Sequence, residues 1–242
     1  MEDYVYDVFD QEGWWWTVGR RALVTSLWSR YGKDKEPAAI VDIGCGAGTM
    51  VEELARFGVA YGLDVSNTAL GYCHGRGLDS VTLGDASALP YQDERFDLVT
   101  SIDVLEHVDD DVSALRETYR VCRKGGMLIA TVPAFNFLWS RRDDQLHHKR
   151  RYYLEQFRSR VSSAGFKVIR ATYINFPLLV PLYLLVKVGH LLRRNPSLGM
   201  DYVLVPPVVN GVLGWVVRVE ARWLSRFDLP VGTSICCVAV KP

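Results

Sequence analysis

The stretch Val41-Asp42-Ile43-Gly44-Cys45-Gly46-Ala47-Gly48 restricts this chain more than any other. Ala38–Ile43 reads as a short buried strand with an acidic residue near its end, and Thr49–Phe57 reads as a helix. Between them, three glycines stand at alternate positions. Glycine is needed where φ is positive and where backbone must approach a ligand without a Cβ in the way. A strand that runs through a glycine turn into a helix is the opening unit of a parallel α/β sheet.

The same alternation continues along the chain. Val59–Leu63 is a second predicted strand ending at Asp64, Ser66–Gly75 a short helix, Ser80–Leu83 a third strand, and Phe96–Ser101 a fourth. Val112–Cys122 reads as a helix and Gly126–Val132 as a fifth strand, stopped by Pro133. Residues 134–153 are aromatic and charged with no clear period and read as a long loop. Leu154–Ala164 then reads as a helix closed by Gly165, Phe166–Tyr173 as a strand, and Ile235–Val240 as a last strand. Upstream, residues 14–31 read as a helix with Ala22, Leu23, Leu27 and Trp28 on one face, and Lys33–Pro37 as a charged linker. Short apolar strands alternating with helices predict a sheet covered on both faces, with ligands beyond the carboxyl ends of its strands. The chain divides into a cap (1–36), a core (37–175 and 228–242) and an apolar insertion (176–227).

Its 242 residues suit one such domain with an insertion, and a hydrophobic fraction of 49% is ample for a core. Lys plus Arg and Asp plus Glu both number 28, so the basic excess of a nucleic-acid binder is missing. Five scattered cysteines, without metal-ligand spacing, predict buried thiols in a reducing cytosol. The amino terminus is acidic and aromatic, unlike a secretory signal, which leads to a cytoplasmic expectation.

Two further acidic residues follow the strand ends. Asp64 stands where a carboxylate can accept both hydroxyls of a ribose, and Asp85 where it can accept from the amine of adenine. A dinucleotide fingerprint would place a third glycine at position 49, which is Thr49, so a pyrophosphate site is disfavoured. Asp42–Gly48, Leu63-Asp64-Val65-Ser66, Gly84-Asp85-Ala86 and Phe96-Asp97-Leu98-Val99 through Leu105-Glu106-His107 together resemble the class I S-adenosylmethionine (SAM)-dependent methyltransferases. Within that class the look is of the small-molecule, quinone and lipid branch. The resemblance implies SAM as cofactor and a Rossmann-like, seven-stranded, mostly parallel sheet with helices on both faces and an antiparallel last strand. It implies that Asp42, Gly44, Cys45, Gly46 and Gly48 form the methionine side of the site. Asp64 and Val65 would hold the ribose, Asp85 and Ala86 the adenine, and Ile102 and Asp103 the wall shared with substrate. The Asn/Asp-Pro-Pro-Tyr motif of many enzymes acting on amide or exocyclic nitrogens is replaced by Ser101-Ile102-Asp103-Val104, which moves nucleic-acid bases down the list.

Two flanks bear on the acceptor. Glu12-Gly13-Trp14-Trp15-Trp16-Thr17-Val18-Gly19-Arg20-Arg21 resembles a flank of bacterial methyltransferases of glycan and lipid assembly. This implies an aromatic lid, with Trp16 toward substrate and Arg20 on the methionine carboxylate. The plain alternative is tryptophans packed on the sheet edge. Asp144, His148, Arg150, Arg151 and Tyr152 match an Asp-x-x-x-His-x-Arg-Arg-Tyr pattern of the same group, where the arginines suit a phosphate or carboxylate; a solvated charge run is the alternative. His107 is a candidate proton acceptor, alongside Asp103 and His148, or else a buried packing histidine. His147, His148 and an aspartate lack the spacing of a metal site, so no metal is expected.

The insertion contains no span of about twenty apolar residues, since prolines 177, 181, 206 and 207 interrupt it. Val208–Phe227 reads as an amphipathic helix, with Val212, Val216, Val219, Trp223 and Phe227 on one face and Arg218, Arg222 and Arg226 on another. A membrane interface, a buried helix and a dimer face are all open readings; the first would make the protein peripheral on the inner membrane face. The expected activity is methyl transfer from SAM, at oxygen, to a hydrophobic, lipid-linked or glycan-related acceptor. A nicotinamide-dependent oxidoreductase and a non-catalytic SAM-binding membrane protein are the alternatives, and the oligomeric state is left open.

Overall fold

The structure, a computed structural model, describes residues 13–32, 38–191 and 205–242. The acidic segment 2–12, the linker 33–37 and Arg193-Arg194 lie outside the described residues. Helix α1 (Trp15–Tyr31) precedes β1 (Ala38–Ile43), α2 (Thr49–Leu54), β2 (Gly58–Asp64), α3 (Asn67–Gly75), β3 (Val81–Leu83), β4 (Phe96–Ile102), α4 (Asp111–Val121) and β5 (Cys122–Pro133). There follow α5 (Arg141–Gln145), α6 (Leu154–Ser163), β6 (Lys167–Ile174), α7 (Leu179–Leu191), α8 (Pro207–Leu224) and β7 (Ser234–Val240).

The seven strands form one sheet in the order β3-β2-β1-β4-β5-β7-β6. β7 runs antiparallel to both of its neighbours, β5 and β6, while β1 to β5 pair in parallel. This arrangement confirms the α/β Rossmann-like fold, and the inserted antiparallel β7 departs from the 3-2-1-4-5-6 order of dinucleotide-binding sheets. Chain direction reverses its progress across the sheet between β1 and β4. The crevice beyond their carboxyl ends is therefore where a ligand belongs.

Strand residues alternate between two cores because successive side chains point to opposite faces. Ile40, Leu98, Met127, Ile129, Cys236 and Val238 pack with Leu23, Leu27 and Trp28 of α1, Met50 and Leu54 of α2 and Leu224 of α8. Val41, Ile43, Val99, Leu128, Ile235 and Cys237 pack instead with Leu115 of α4 and with Phe157 and Val161 of α6. Both faces are dry, which is why the strands read as continuous apolar runs. All five cysteines are buried and unpaired.

Several boundaries differ from the sequence reading. β5 begins at Cys122, which the periodicity places in the preceding helix, and β3 shortens to three residues. The stretch 134–153 is more ordered than its composition suggests. It holds a 3-10 turn at Asn136–Leu138 and helix α5, whose start is fixed by the Asp143 carboxylate accepting from the Ser140 backbone N–H and hydroxyl at 2.8 and 3.1 Å. No helix among the described residues is long and apolar enough to cross a membrane.

Candidate cofactor and acceptor site

The glycine loop lies at the switch point, directly after β1. Gly44 and Gly46 have φ of +72° and +54°, values that side-chain-bearing residues rarely adopt. They serve different ends. A Cβ on Gly44 would strike the Val104 side chain at 2.4 Å, so this glycine allows the loop to pack against the segment after β4. A Cβ on Gly46 would meet nothing within 4 Å among the described residues, so its bare backbone is uncovered by them. Cys45 and Gly48 are drawn inward: Cys45 is buried, and the Cys73 thiol donates to the Gly46 carbonyl at 3.2 Å. Asp42 is buried beneath the loop, where the Thr100 hydroxyl donates to it at 2.5 Å; burial pushes its carboxyl up to about 7.

Asp64 ends β2 beside this loop. Its carboxylate accepts from the backbone N–H groups of Gly46 and Ser66, each at 2.9 Å, so loop and strand end are held in fixed register. Next to it, Val65 leaves 73% of its side chain exposed, an uncovered apolar surface at the rim of the crevice. Asp85 is also exposed; the N–H and hydroxyl of Ser87 hold its carboxyl below the usual carboxylate range, and Ala86 beneath it is buried. An open glycine backbone, the carboxylate that ends β2, an uncovered valine and a further carboxylate thus line one side of the crevice in chain order.

On the other side of the crevice, β4 ends in a sharp turn. Asp103 adopts φ +56°, and its N–H donates to the carbonyl and hydroxyl oxygens of Thr131, at 3.0 and 3.1 Å. Its carboxylate receives Arg20 in a two-pronged pair at 2.8 and 3.1 Å. Burial raises the Asp103 carboxyl, but the Arg20 charge and the Thr131 hydroxyl outweigh it and hold the group ionised. Arg20 is itself buried, also reaches Ser234 Oγ at 3.3 Å, and lies 4.2 Å from the Trp16 ring centre. Its guanidinium is thus taken up by Asp103, as a buried cation requires, instead of being held out for a ligand carboxylate. Trp14 and Trp15 do not form a lid: they are buried against Val217 of α8, while Trp16 is half-buried over Arg20.

The turn after β4 leads to Glu106 and His107. The His107 ring stands edge-on to His148 with centres 4.8 Å apart, and both histidines act electrostatically on or with Asp103. Burial and the neighbouring His148 depress His107 to about 4, so it is neutral. Glu106 is fully buried; burial first, then the Asp103 charge, raise its carboxyl well above the usual range, and its Oε2 has no hydrogen-bond partner among the described residues. Glu106, His107 and His148 each offer a ligand atom within 4.8 Å of the others, a set that can hold a divalent cation although its sequence spacing gives no hint of one.

Asp143, which the sequence reading passes over for Asp144, organises the second flank. Buried completely, it accepts from His148 Nδ1 at 2.8 Å and from Arg151 Nε and a second guanidinium nitrogen at 2.7 and 3.0 Å. Against the effect of burial, His148 and Arg151 drive its carboxyl far below the usual range. Asp144 only accepts from the Trp139 ring N–H, at 3.0 Å, on the surface. The signal available in sequence was Ser140, three residues before Asp143, the spacing of a helix-start capping pair. Arg151 and Tyr152 are buried bracing groups: Arg151 also donates to the Ala134 carbonyl, and the Tyr152 hydroxyl donates to Asp111 at 2.6 Å. Arg150 donates to the Asp109 carbonyl and pairs with Asp111. Arg151 and Tyr152, of which a substrate-facing role is expected, are engaged in internal contacts, since buried guanidinium and phenol groups must find partners, while Arg150 stays partly exposed. What they do is hold residues 143–152 across the end of β4, with the Lys149 N–H donating to the Glu106 carbonyl at 2.8 Å.

Residues 41–130 match a family described as "Methyltransferase domain". An ubiquinone biosynthesis O-methyltransferase of Methylococcus capsulatus is 38% identical over 94 residues, 36% of this chain and 39% of that protein. A norajmaline N-methyltransferase of Rauvolfia serpentina is 38% identical over 104 residues, 39% of this chain and 36% of that one. The matched region spans less than half the length of these relatives. Among solved structures, a SAM-dependent methyltransferase of Thermotoga maritima, described as a possible histamine N-methyltransferase, superposes with a TM-score of 0.60 at 20% identity, covering 94% of this chain and 93% of that one. Residues 41–130 thus match a methyltransferase domain, and the chain as a whole has the fold of the SAM-dependent methyltransferase on which it superposes.

Proposed function

We propose that the chain transfers the methyl group of SAM to an oxygen of an amphiphilic acceptor, lipid-linked or glycan-related. The observation that carries the reading is the Asp143–His148 pair set against His107 beyond β4. Bound SAM supplies the methyl as an electrophile on a sulfonium, so the protein must place the acceptor and dispose of its proton. Gly44, Gly46, Asp64, Val65 and Asp85 are the residues that would hold it. Asp143, kept ionised by His148 and Arg151, can only accept, so His148 donates Nδ1–H to it, and in its neutral form His148 offers Nε2 as the acceptor. Nε2 takes the hydroxyl proton as the new O–CH₃ bond forms and the S–CH₃ bond breaks. An amine acceptor has less need of such a base, and the relatives include both O- and N-methyltransferases.

The amphiphilic character of the acceptor is supported by the insertion, whose apolar helix α8 packs on α1, the element that carries Trp16 and Arg20. The test is incubation with methyl-labelled SAM and host extract, followed by separation into organic and aqueous phases. Label is expected in the organic phase, and lost with His148→Asn while S-adenosylhomocysteine still raises the melting temperature. Label confined to the aqueous phase overturns the amphiphilic acceptor, and unchanged turnover of H148N overturns the base. Stabilisation by NAD but not by S-adenosylhomocysteine would restore the oxidoreductase alternative. Cofactor binding with no labelled product in any fraction would favour a non-catalytic SAM-binding protein.

A further inference from the structure

Eleven of the seventeen large hydrophobic side chains exposed among the described residues belong to the insertion, residues 176–227. Most lie on α8 and its C-terminal extension, and their spacing shows how the helix sits. The helix turns its small face inward: Gly214, Val217, Ala221 and Leu224 are buried, and Val217 lies against Gly19 of α1, where an added Cβ would stand 3.0 Å away. The opposite face carries Val208, Val212, Trp215, Val219, Trp223 and, just past the helix, Phe227, which are 44 to 78% exposed. These residues recur three or four apart, so they form one continuous stripe. Arg218, Arg222 and Arg226 are exposed too; Arg226 falls within that outward arc and Arg222 just beside it. The valine–aromatic stripe and the arginine stripe of the sequence reading thus adjoin on the exposed side of the helix, and neither is the buried face.

A stripe of this kind is unusual on a surface, because large exposed apolar patches mark a binding site. The occupant can be argued from charge. A second copy docked by two-fold symmetry would bring like arginines together across an apolar contact from which water is excluded, and that is unfavourable. An anionic surface meets both requirements at once, taking the tryptophans and Phe227 into its apolar boundary and the arginines at its phosphates.

We propose that the outer face of α8 docks on an anionic lipid bilayer, with the helix lying in the plane of the interface. The far side of the same helix packs on α1, whose Arg20 pairs with Asp103 at the crevice. The docked protein therefore holds its candidate site within one helix layer of the membrane. The proposal does not depend on which atom is methylated, and its test needs neither cofactor nor acceptor.

The experiment is flotation of the full chain with vesicles of phosphatidylcholine alone and with added phosphatidylglycerol, at low and high salt. Binding is expected to the anionic vesicles and to weaken at high salt, as surface charges are screened beyond about 10 Å at 0.1 M. The triple change Arg218→Gln, Arg222→Gln and Arg226→Gln should weaken it about a hundredfold, since each basic residue near such a surface contributes roughly fivefold. Trp215→Ser with Trp223→Ser should abolish binding to the anionic vesicles. Both sets are solvent-exposed, and an unchanged melting temperature will show that they fold. Failure of the wild-type chain to float with anionic vesicles overturns the proposal. So does a dimer in sedimentation that Trp215→Ser dissociates, because the face would then be covered by a second copy.

Discussion

Asp143→Asn tests the reassignment of the acidic residue that holds the second flank. Asp143 accepts five hydrogen bonds, from Arg151 twice, His148, and the backbone and hydroxyl of Ser140. Side chains of Asp143, His148 and Arg151 are 1, 10 and 8% exposed, so almost no water is at hand to replace what is lost. Asparagine keeps the shape, but removes the charge and turns an N–H₂ group toward donors. The Arg151 cation is left buried without its counter-ion, a change that costs about 3–5 kcal/mol. At about 2–4 °C per kcal/mol for a chain of this size, the melting temperature should fall by roughly 6–20 °C. Asp144→Asn is the control. It loses one surface hydrogen bond and should shift stability by less than about 0.5 kcal/mol. Differential scanning calorimetry at pH 7 reads both. Equal shifts, or a larger one for D144N, would refute the reasoning that burial and ion pairing single out Asp143.

Three further outcomes follow from the same geometry. Gly46→Ala should cost only the roughly 1–2 kcal/mol of a positive φ, because its Cβ meets no atom of the described residues, yet weaken S-adenosylhomocysteine binding at least about tenfold by calorimetric titration; Gly71→Ala, equally uncrowded but within α3, should bind normally, and like losses in both would count against the loop. A double-mutant cycle on Arg20→Met and Asp103→Asn should give a coupling of about 1–3 kcal/mol in urea unfolding, and additivity would show that the pair does not tie α1 to the crevice. In pH dependence, His107 and Asp42 oppose each other. His107 is depressed to about 4 from 6.5, so the unfolded chain takes up its proton first and stability is lost, by about 3 kcal/mol, as pH falls from 6.5 to 4. Asp42 is raised to about 7 from 3.8, so its contribution is fully present below 3.8 and lost, by about 4 kcal/mol, as pH rises through 7. Urea midpoints should therefore show Asp42→Asn gaining on the wild type from pH 5 to pH 8, and no gain would mean that Asp42 ionises freely.

Local pattern by itself determined the parallel α/β core and its cofactor loop. Strand, glycine turn and helix follow one another between Ala38 and Leu54, and the positive φ at Gly44 and Gly46 is a property that those residues allow and others resist. Asp64 and Asp85 were selected for the same reason, Asp64 ending β2 and Asp85 standing two residues beyond β3. Tertiary structure decided the rest, because burial and pairing are relations between distant segments. It chose Asp143 over Asp144 by packing Arg151 and His148 against it, and gave Arg20 to Asp103, 83 positions away. It gathered Glu106, His107 and His148 into one cluster from two separated loops. It also fixed which side of α8 faces water: the helical repeat of Val208–Phe227 shows its stripes, but only contact with α1 showed that the narrow Gly214–Leu224 face is the buried one and that the tryptophans and arginines look outward.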